Sequence, residues 1–379
     1  MAGCWRCYSP LAEPCKTPQK PETALHFMSE QPKPPARRPT LEDVAREAGV
    51  SLATVDRVMN LRANVRADTA QRIAEAAARL GFHGRNVIEQ RLLQQRPKVR
   101  LGFLLQKRGV AFYQGLAKAL NEAAASTVRA QVRVLIHYID DLDPAATAER
   151  IRQLRGEVDA LGLVSADHPL VRQAVAELAA QGLPVVALVS DLEAAANAAY
   201  VGVDNRRMGR SAAWFIRHLA QQPGAVAVML GTQRFQCQEL CEMSLRSYLT
   251  EQQGDWELLA TRLTLEDEDF AYASTLDLLS SEPDLVGLYV AGGGIAGVLK
   301  ALRQLQAQKI RLPVVVCHDL TPLTATALTE GLVQAVLSHP VADLAREALQ
   351  LMIASALNPA APCTDKRMLT PQIDVAESV

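Results

Sequence analysis

The stretch TLEDVAREAGVSLATVDRVMN at 40–60 sets a guanidinium, hydroxyls and an amide along one side of a short helical pattern. Arg57 can give two hydrogen bonds to a guanine edge, the commonest base-specific contact in the major groove. Ser51, Thr54, Asn60, Asn64, Arg66 and Thr69 offer short polar groups suited to phosphate oxygens. Such contacts fix register without reading sequence. Leu52, Ala53 and Asp56 project outward with Thr54 and Arg57, and an acidic Asp56 opposes a phosphate. The competing reading is a plain three-helix core with solvated charges.

A second set of groups lies downstream. Phe112 and Tyr113 offer flat faces on which a sugar ring could stack. Asp319 can accept hydroxyl hydrogen bonds. Ser190, Asp191, Arg234 and Glu239 are polar candidates at strand and helix ends, and Gly293 sits in a glycine run that allows close backbone approach. That run has glycines at 292, 293, 294 and 297, so it is not the G-x-G-x-x-G dinucleotide loop. No Walker A, H-E-x-x-H or G-x-S-x-G motif occurs, and catalysis, cofactor and metal have no positive support. His137 and His318 stand near apolar strand ends and read as structural. Asp204 reads as a helix cap or as a cleft residue.

Three short helices must position the first set. Thr40 is a good N-cap, with Asp43 three residues on. Gly49 ends the first helix, Ser51 caps the second, and Ile73, Ala77 and Leu80 face inward from a third at 68–80. From residue 99 the pattern changes. Apolar runs at 99–105, 132–138, 160–164, 185–189, 225–230, 285–290 and 314–318 alternate with amphipathic helices, for example at 113–124, 144–154, 169–180 and 208–219. This alternation predicts parallel sheets with helices on both faces, and ligand groups at the strands' carboxyl ends.

The composition fits this division. The 379 residues are 49% hydrophobic and 21% charged, enough for a sizeable core in two or three domains. The net charge of −1 hides a basic front: 38–97 carries ten Lys/Arg against seven Asp/Glu. No apolar run approaches the ~18 residues of a membrane helix, and no secretory signal is evident. The seven cysteines are irregularly spaced, which fits a reducing cytoplasm. Residues 1–37 are proline-rich and read as disordered, their C-x-x-C as incidental, and Met28 as a candidate start.

Residues 40–82 resemble the DNA-binding head of the LacI/GalR-type (lactose-repressor) family. Its pattern is T-[LI]-x-D-V-A-x-x-A-G-V-S-x-x-T-V-S-R-V-[LM]-N, followed by a third helix ending in L-G-[YF]. Asp56 stands where that pattern has Ser. From residue 99 the chain is similar to the family's periplasmic-binding-protein-like (type I) effector domain. The landmarks are 99–105, 112–115, YVGVDNRRMGRSA at 200–212, GGGIAG at 292–297 and HDLTP from 318. The resemblance implies an α + α/β fold, a helix-turn-helix three-helix head followed by a two-lobed α/β domain. It implies a disordered extension at 1–37, a head at 38–83, a hinge or linker at 84–97 and an effector and dimerisation domain at 98–379. Within that domain, lobe 1 is expected at about 98–197 and 333–356, and lobe 2 at about 198–332 with the C-terminal segment.

The function implied is a cytoplasmic repressor. A homodimer, or a tetramer, would read a palindromic operator in double-stranded DNA under control of a sugar or sugar-like effector. The family's hinge helix inserts a leucine into the minor groove, and Leu92 or Leu93 is the candidate, although Gly84 replaces the usual proline. The family's cleft arginine aligns near Cys241, so Arg234 or Arg246 would have to stand in. The polar residue beside the glycine run is replaced by Val290 or Ile295. The cleft is therefore less suited to a polyhydroxylated sugar than the fold implies, and Arg234, Gln236, Gln238 and Glu239 leave room for another polar ligand. The alternative function is a solute-binding sensor with a degenerate head.

Overall fold

The computed structural model describes residues 37–60, 65–140, 142–192 and 198–379. The expected disorder of 1–37 (Arg37 apart) and the phosphate role of Asn64 lie outside the described residues. The chain divides into two units, 1–89 and 90–379.

In the first unit, α1 (Leu41–Ala48), α2 (Leu52–Asn60) and α3 (Ala67–Arg79) precede α4 (Arg85–Gln95). Val44, Ala45, Val55, Val58, Ile73, Ala77, Phe82 and Ile88 form its buried apolar set. Gly49 adopts the left-handed conformation (φ 64°, ψ 40°) that ends α1, and the Val50 N–H donates to the Ala45 carbonyl at 3.0 Å. Glycine takes this geometry without the Cβ penalty. The Arg72 guanidinium of α3 donates to the carbonyls of Ala48 (2.7 Å) and Gly49 (3.2 Å), supplying donors to acceptors that the helix end leaves unpaired. Gly84 also has a steric reason, since a Cβ there would lie 2.5 Å from the Phe82 ring. The expected hinge at 84–97 is largely helical, as α4; of Leu92 and Leu93 only the backbone is described.

The second unit begins with β1 (Lys98–Gln106), α5 (Ala111–Ser126), β2 (Gln131–Ile139), α6 (Pro144–Gln153), β3 (Ala160–Leu163), α7 (Pro169–Ala180), β4 (Val185–Leu188) and β5 (Ala198–Val203). There follow α8 (Asn205–Leu219), β6 (Ala225–Leu230), α9 (Gln236–Glu251), β7 (Glu257–Leu258), β8 (Arg262–Leu263), α10 (Glu268–Ser281), β9 (Gly287–Val290), α11 (Ile295–Ala307), β10 (Val314–His318), α12 (Pro322–Thr329) and β11 (Ala335–Ser338). The chain closes with α13 (Val341–Leu357), β12 (Lys366–Leu369) and β13 (Gln372–Asp374).

These strands form two sheets, ordered β12-β5-β4-β3-β1-β2 and β13-β11-β10-β9-β6-β7, with β8 also on β6. All pairings are parallel except β11 with β13. The central strands are continuous apolar runs because helices cover both faces. α13 returns to the first sheet, burying Leu344, Ala348 and Met352 with Leu101 and Phe103.

The expected lobe boundaries need correction. β5 lies beyond the 197/198 division yet pairs with β4, Val185 opposite Ala198, and is buried along its whole length. It therefore belongs to the first lobe. β11, expected in that lobe, pairs with β10 in the second sheet. The C-terminal segment serves both sheets, β12 beside β5 and β13 beside β11. Three connections thus join the lobes: after β5, after β11 and between β12 and β13.

Candidate functional site

Two surfaces gather the residues singled out above. In the first unit, Ser51 Oγ accepts from the Thr54 N–H at 3.3 Å, as a cap on α2 does, and the two hydroxyls lie 2.8 Å apart. Val55 and Val58 turn inward, leaving Leu52 (44% exposed), Ala53, Arg57 and Asn60 exposed. Arg57 makes no ion pair or side-chain hydrogen bond among the described residues, so its fork is available to a partner. The Asn60 amide donates to Asp56 Oδ1 at 2.7 Å, which draws the carboxylate that departs from the family pattern back along the helix. Thr40 caps α1, its hydroxyl donating to Asp43. Arg66 is exposed at the start of α3 and Thr69 is half-buried in its first turn.

In the second unit a cavity of about 380 Å³ opens between the lobes. Its walls follow the carboxyl ends of the strands, where ligands of parallel α/β sheets bind. Val110, Phe112 and Tyr113 come after β1, Val164 after β3 and Val189 after β4. Across from them stand Phe235, Cys237 and Gln238 after β6, Glu266 after β8 and the glycines 292–294 after β9. His318 and Asp319 end β10, and His339 follows β11. Val189, Glu266 and Asp319 hold φ values of 66°, 56° and 62°. Such strain in non-glycine residues clusters at functional sites.

The lobes are tied together beside this cavity. Lys107 Nζ donates to the Glu266 carbonyl at 2.6 Å, the Cys237 N–H to Ser190 Oγ at 3.3 Å, and the Asp167 N–H to the Arg234 carbonyl at 2.8 Å. Glu266 Oε1 accepts from Gln238 Nε2 and from the Gly293 N–H, both at 3.1 Å. A Cβ on Gly293 would lie 1.7 Å from Glu266 Oε2, and one on Gly292 2.7 Å from Gln238 Oε1. The glycine run therefore admits protein side chains as well as exposing backbone to the cavity.

Asp319 Oδ1 accepts both the His339 N–H (3.0 Å) and His339 Nδ1 (2.8 Å). Burial would raise its pKa, but His339 and His318 outweigh burial and hold the carboxyl below its ordinary value. His339 is 6% exposed, and its Nε2 has no partner. His318 Nε2 meets the Tyr289 hydroxyl, and burial pushes its pKa down to about 4. Tyr113 is pushed well up by burial and by Glu266, and Cys237 to about 12, mainly by burial. Both stay protonated near neutral pH.

Of the expected cleft residues, Phe112, Tyr113, Gly293 and Asp319 line the cavity. Ser190 does not, because its hydroxyl is taken by Cys237 at the lobe junction. Asp191 is drawn to Lys366 of β12. Arg234 is exposed and borders a separate niche of about 10 Å³. Glu239, one residue past Gln238 on α9, is exposed, and Arg246 pairs with Glu242. Gln238, read from the sequence only as one of the polar groups for another ligand, lines the cavity, and Glu266 and His339 join it without any expectation from the sequence. Glu266 and His339 follow a two-residue strand and a strand not expected, so no apolar run of the sequence pointed to them.

The structure joins a helix-turn-helix head to a two-lobed α/β body of the periplasmic-binding type. The chain belongs to the periplasmic binding protein domain family, whose model matches 101–358, and carries at 40–84 the head of the bacterial regulatory proteins of the lacI family. It is similar to catabolite control protein A of Streptococcus mutans serotype c, 29% identical over 147 residues, covering 39% of this chain and 42% of that protein. It is also similar to catabolite control protein A of Priestia megaterium, 36% identical over 85 residues, 22% of this chain and 25% of that one. The chain thus spans less than half of either relative in these matches. Among solved structures, an ABC transporter solute binding protein from Agrobacterium vitis with bound D-fucose shares the fold. Its TM-score is 0.66 at 16% identity, over 73% of this chain and 96% of that one.

Proposed function

We propose that the protein is a repressor whose operator affinity is set by a small polyhydroxylated molecule held between the lobes. The observation that carries this reading is the cavity of about 380 Å³ at the strand ends, on the same chain as a helix whose Arg57 is exposed and unpaired among the described residues. The bound D-fucose of the Agrobacterium vitis protein and the catabolite control relatives support a sugar-like effector and a role in carbohydrate use.

In this reading Leu52, Ala53 and Arg57 face bases. Thr40, Ser51, Thr54, Asn60, Asn64, Arg66 and Thr69 hold phosphates, and Leu92 or Leu93 enters the minor groove. One such head reads too few bases for selectivity, so two heads of a cytoplasmic homodimer read a palindrome. The effector acts by population shift. It changes DNA affinity only as far as it binds one lobe arrangement better than the other.

Mobility shift on the DNA upstream of the protein's own gene, against a scrambled duplex and across a salt series, tests the proposal. A sequence preference with steep salt dependence is expected. Binding that ignores base order would leave a solute sensor with a degenerate head. Arg57→Ala should weaken operator binding by about 1–3 kcal/mol while leaving non-specific binding nearly unchanged. Equal affinity of mutant and parent would remove Arg57 from base reading.

A further inference from the structure

We propose that the cleft takes a protonated amine carried on a small polyhydroxylated frame, an amino sugar or aminocyclitol, rather than a neutral sugar or a sugar phosphate. This rests on the proposed ligand-binding role of the cleft and narrows its ligand.

The cavity's polar groups are unbalanced in sign. Glu266, Glu268 and Asp319 are among its lining residues, Glu268 being exposed, and among the described residues no Lys or Arg lines it. The nearest ammonium, Lys107, donates to the Glu266 backbone carbonyl. It forms no ion pair with the Glu266 carboxylate within 4 Å. That carboxylate instead accepts from two neutral donors, the Gln238 amide and the Gly293 N–H. Neutral hydrogen bonds satisfy lone pairs but do not cancel a charge withdrawn from water. A cation entering the cavity supplies what is missing.

His339 provides an independent observation. Its side chain is 4% exposed, it lines the cavity, and Nε2 has no partner. Nδ1 and the backbone N–H both point at Asp319 Oδ1. With Nδ1 directed at Asp319, the other ring nitrogen is buried without a partner among the described residues. The Glu266 and Asp319 carboxylates present acceptors to the ligand beside it. Each hydroxyl of a neutral polyol brings one donor and two acceptor lone pairs, whereas an ammonium brings three donors and no acceptor. Phe112, Tyr113 and Phe235 complete the walls. Aromatic faces attract a desolvated cation through the ring quadrupole, and they also cover the apolar face of a sugar ring. A phosphate or carboxylate would meet the Glu266 and Asp319 carboxylates and, among the described residues lining the cavity, no Lys or Arg.

Thermal shift and titration calorimetry on the full chain test this with matched probes: D-glucosamine, D-glucose, N-acetyl-D-glucosamine and D-glucose 6-phosphate, plus a panel of amino sugars and aminocyclitols. Amine-bearing members should raise the melting temperature, since a ligand of the native state stabilises it. Their neutral, acetylated and phosphorylated counterparts should bind at least about tenfold more weakly. Glu266→Gln, close to isosteric and still able to accept from Gln238 and Gly293, should cost the amine at least about tenfold in affinity. The same change should cost the neutral analogue clearly less than it costs the amine. A panel in which no amine binds overturns the assignment, as does a neutral sugar binding as tightly as its amino counterpart. Equal losses for both ligands in Glu266→Gln overturn it too. These readouts need no DNA. A neutral sugar that releases the operator sinks the ammonium and keeps the regulator, and an amine that binds without affecting DNA does the reverse.

Discussion

Gly209→Ala is expected to destabilise the protein by about 2–3 kcal/mol, although alanine ordinarily strengthens a helix. Gly209 lies in α8, where a Cβ would fall 2.0 Å from the Cys241 carbonyl oxygen and 2.3 Å from Ser244 Oγ of α9. The serine can turn away, but the carbonyl belongs to a helix backbone and cannot. The propensity gain of about 1 kcal/mol is outweighed by overpacking at or just above the top of its usual range, about 3–4 kcal/mol, because a backbone carbonyl at 2.0 Å cannot yield. A glycine at a comparable helical position provides the control. Gly115 of α5 has nothing within 4 Å of its added Cβ, so Gly115→Ala should stabilise by about 0.5–1 kcal/mol. In thermal unfolding of the full chain the first variant should melt about 5–10 °C lower and the second slightly higher. Because α9 carries Cys237 and Gln238 into the cavity, displacing it should also weaken ligand binding. Equal melting temperatures for the two variants would show that α8 and α9 do not approach as described.

The elements that could be read from the chain share a physical character. The head was legible to the residue because small, polar and turn residues in 40–60 each have a single role: Gly49 must be left-handed, Val55 and Val58 must be buried, and Ser51 must cap. Seven strands were legible as apolar runs, six of them largely buried on both faces, while β2, at the sheet edge, is mostly half-buried. β7, β8, β12 and β13 are short or partly exposed edge elements with no such run. β5 overlaps the landmark at 200–212 without being marked as a strand, and β11 lies in none of the landmarks. The cleft suffered most from this. Phe112, Tyr113 and Asp319 follow strands that were seen, and they line the cavity. Ser190 and Asp191 also follow a strand that was seen, yet Val189 turns left-handed and aims them at the lobe junction and β12. Strand ends place a loop; its dihedral angles decide which side chain faces the ligand. The absence of the family's arginine was the one sequence observation that bore on the sign of the cavity. Glu266, reached only through β8, gives it physical content.

Acid should expose the same part of the molecule. Burial lowers the pKa of His318 from the ordinary 6.5 to about 4, with Asp319 raising it and His339 lowering it by smaller amounts. Tyr289, whose hydroxyl burial keeps protonated, is positioned to donate to Nε2, so the fold requires the neutral imidazole. The unfolded chain protonates His318 near 6.5 and the folded chain only near 4. Between those values the unfolded state holds more protons, so stability rises with pH. The contribution is complete above 6.5 and is lost as the pH falls toward 4, about 3 kcal/mol in all at about 1.4 kcal/mol per unit. His137, lowered by burial and by Arg150, acts in the same sense. Asp319, held below its ordinary 3.8, adds a further loss only at lower pH. Replacing His318 by glutamine keeps an acceptor for Tyr289 and removes the titration. Melting temperatures of the parent should fall steeply between pH 7 and 4.5, and those of His318→Gln should fall less, leaving the share due to His137. Parallel curves would place the acid-sensitive group elsewhere. A ligand that donates to the Asp319 carboxylate binds less tightly once that carboxyl is protonated, so its stabilisation should shrink in strong acid and steepen the parent's curve there.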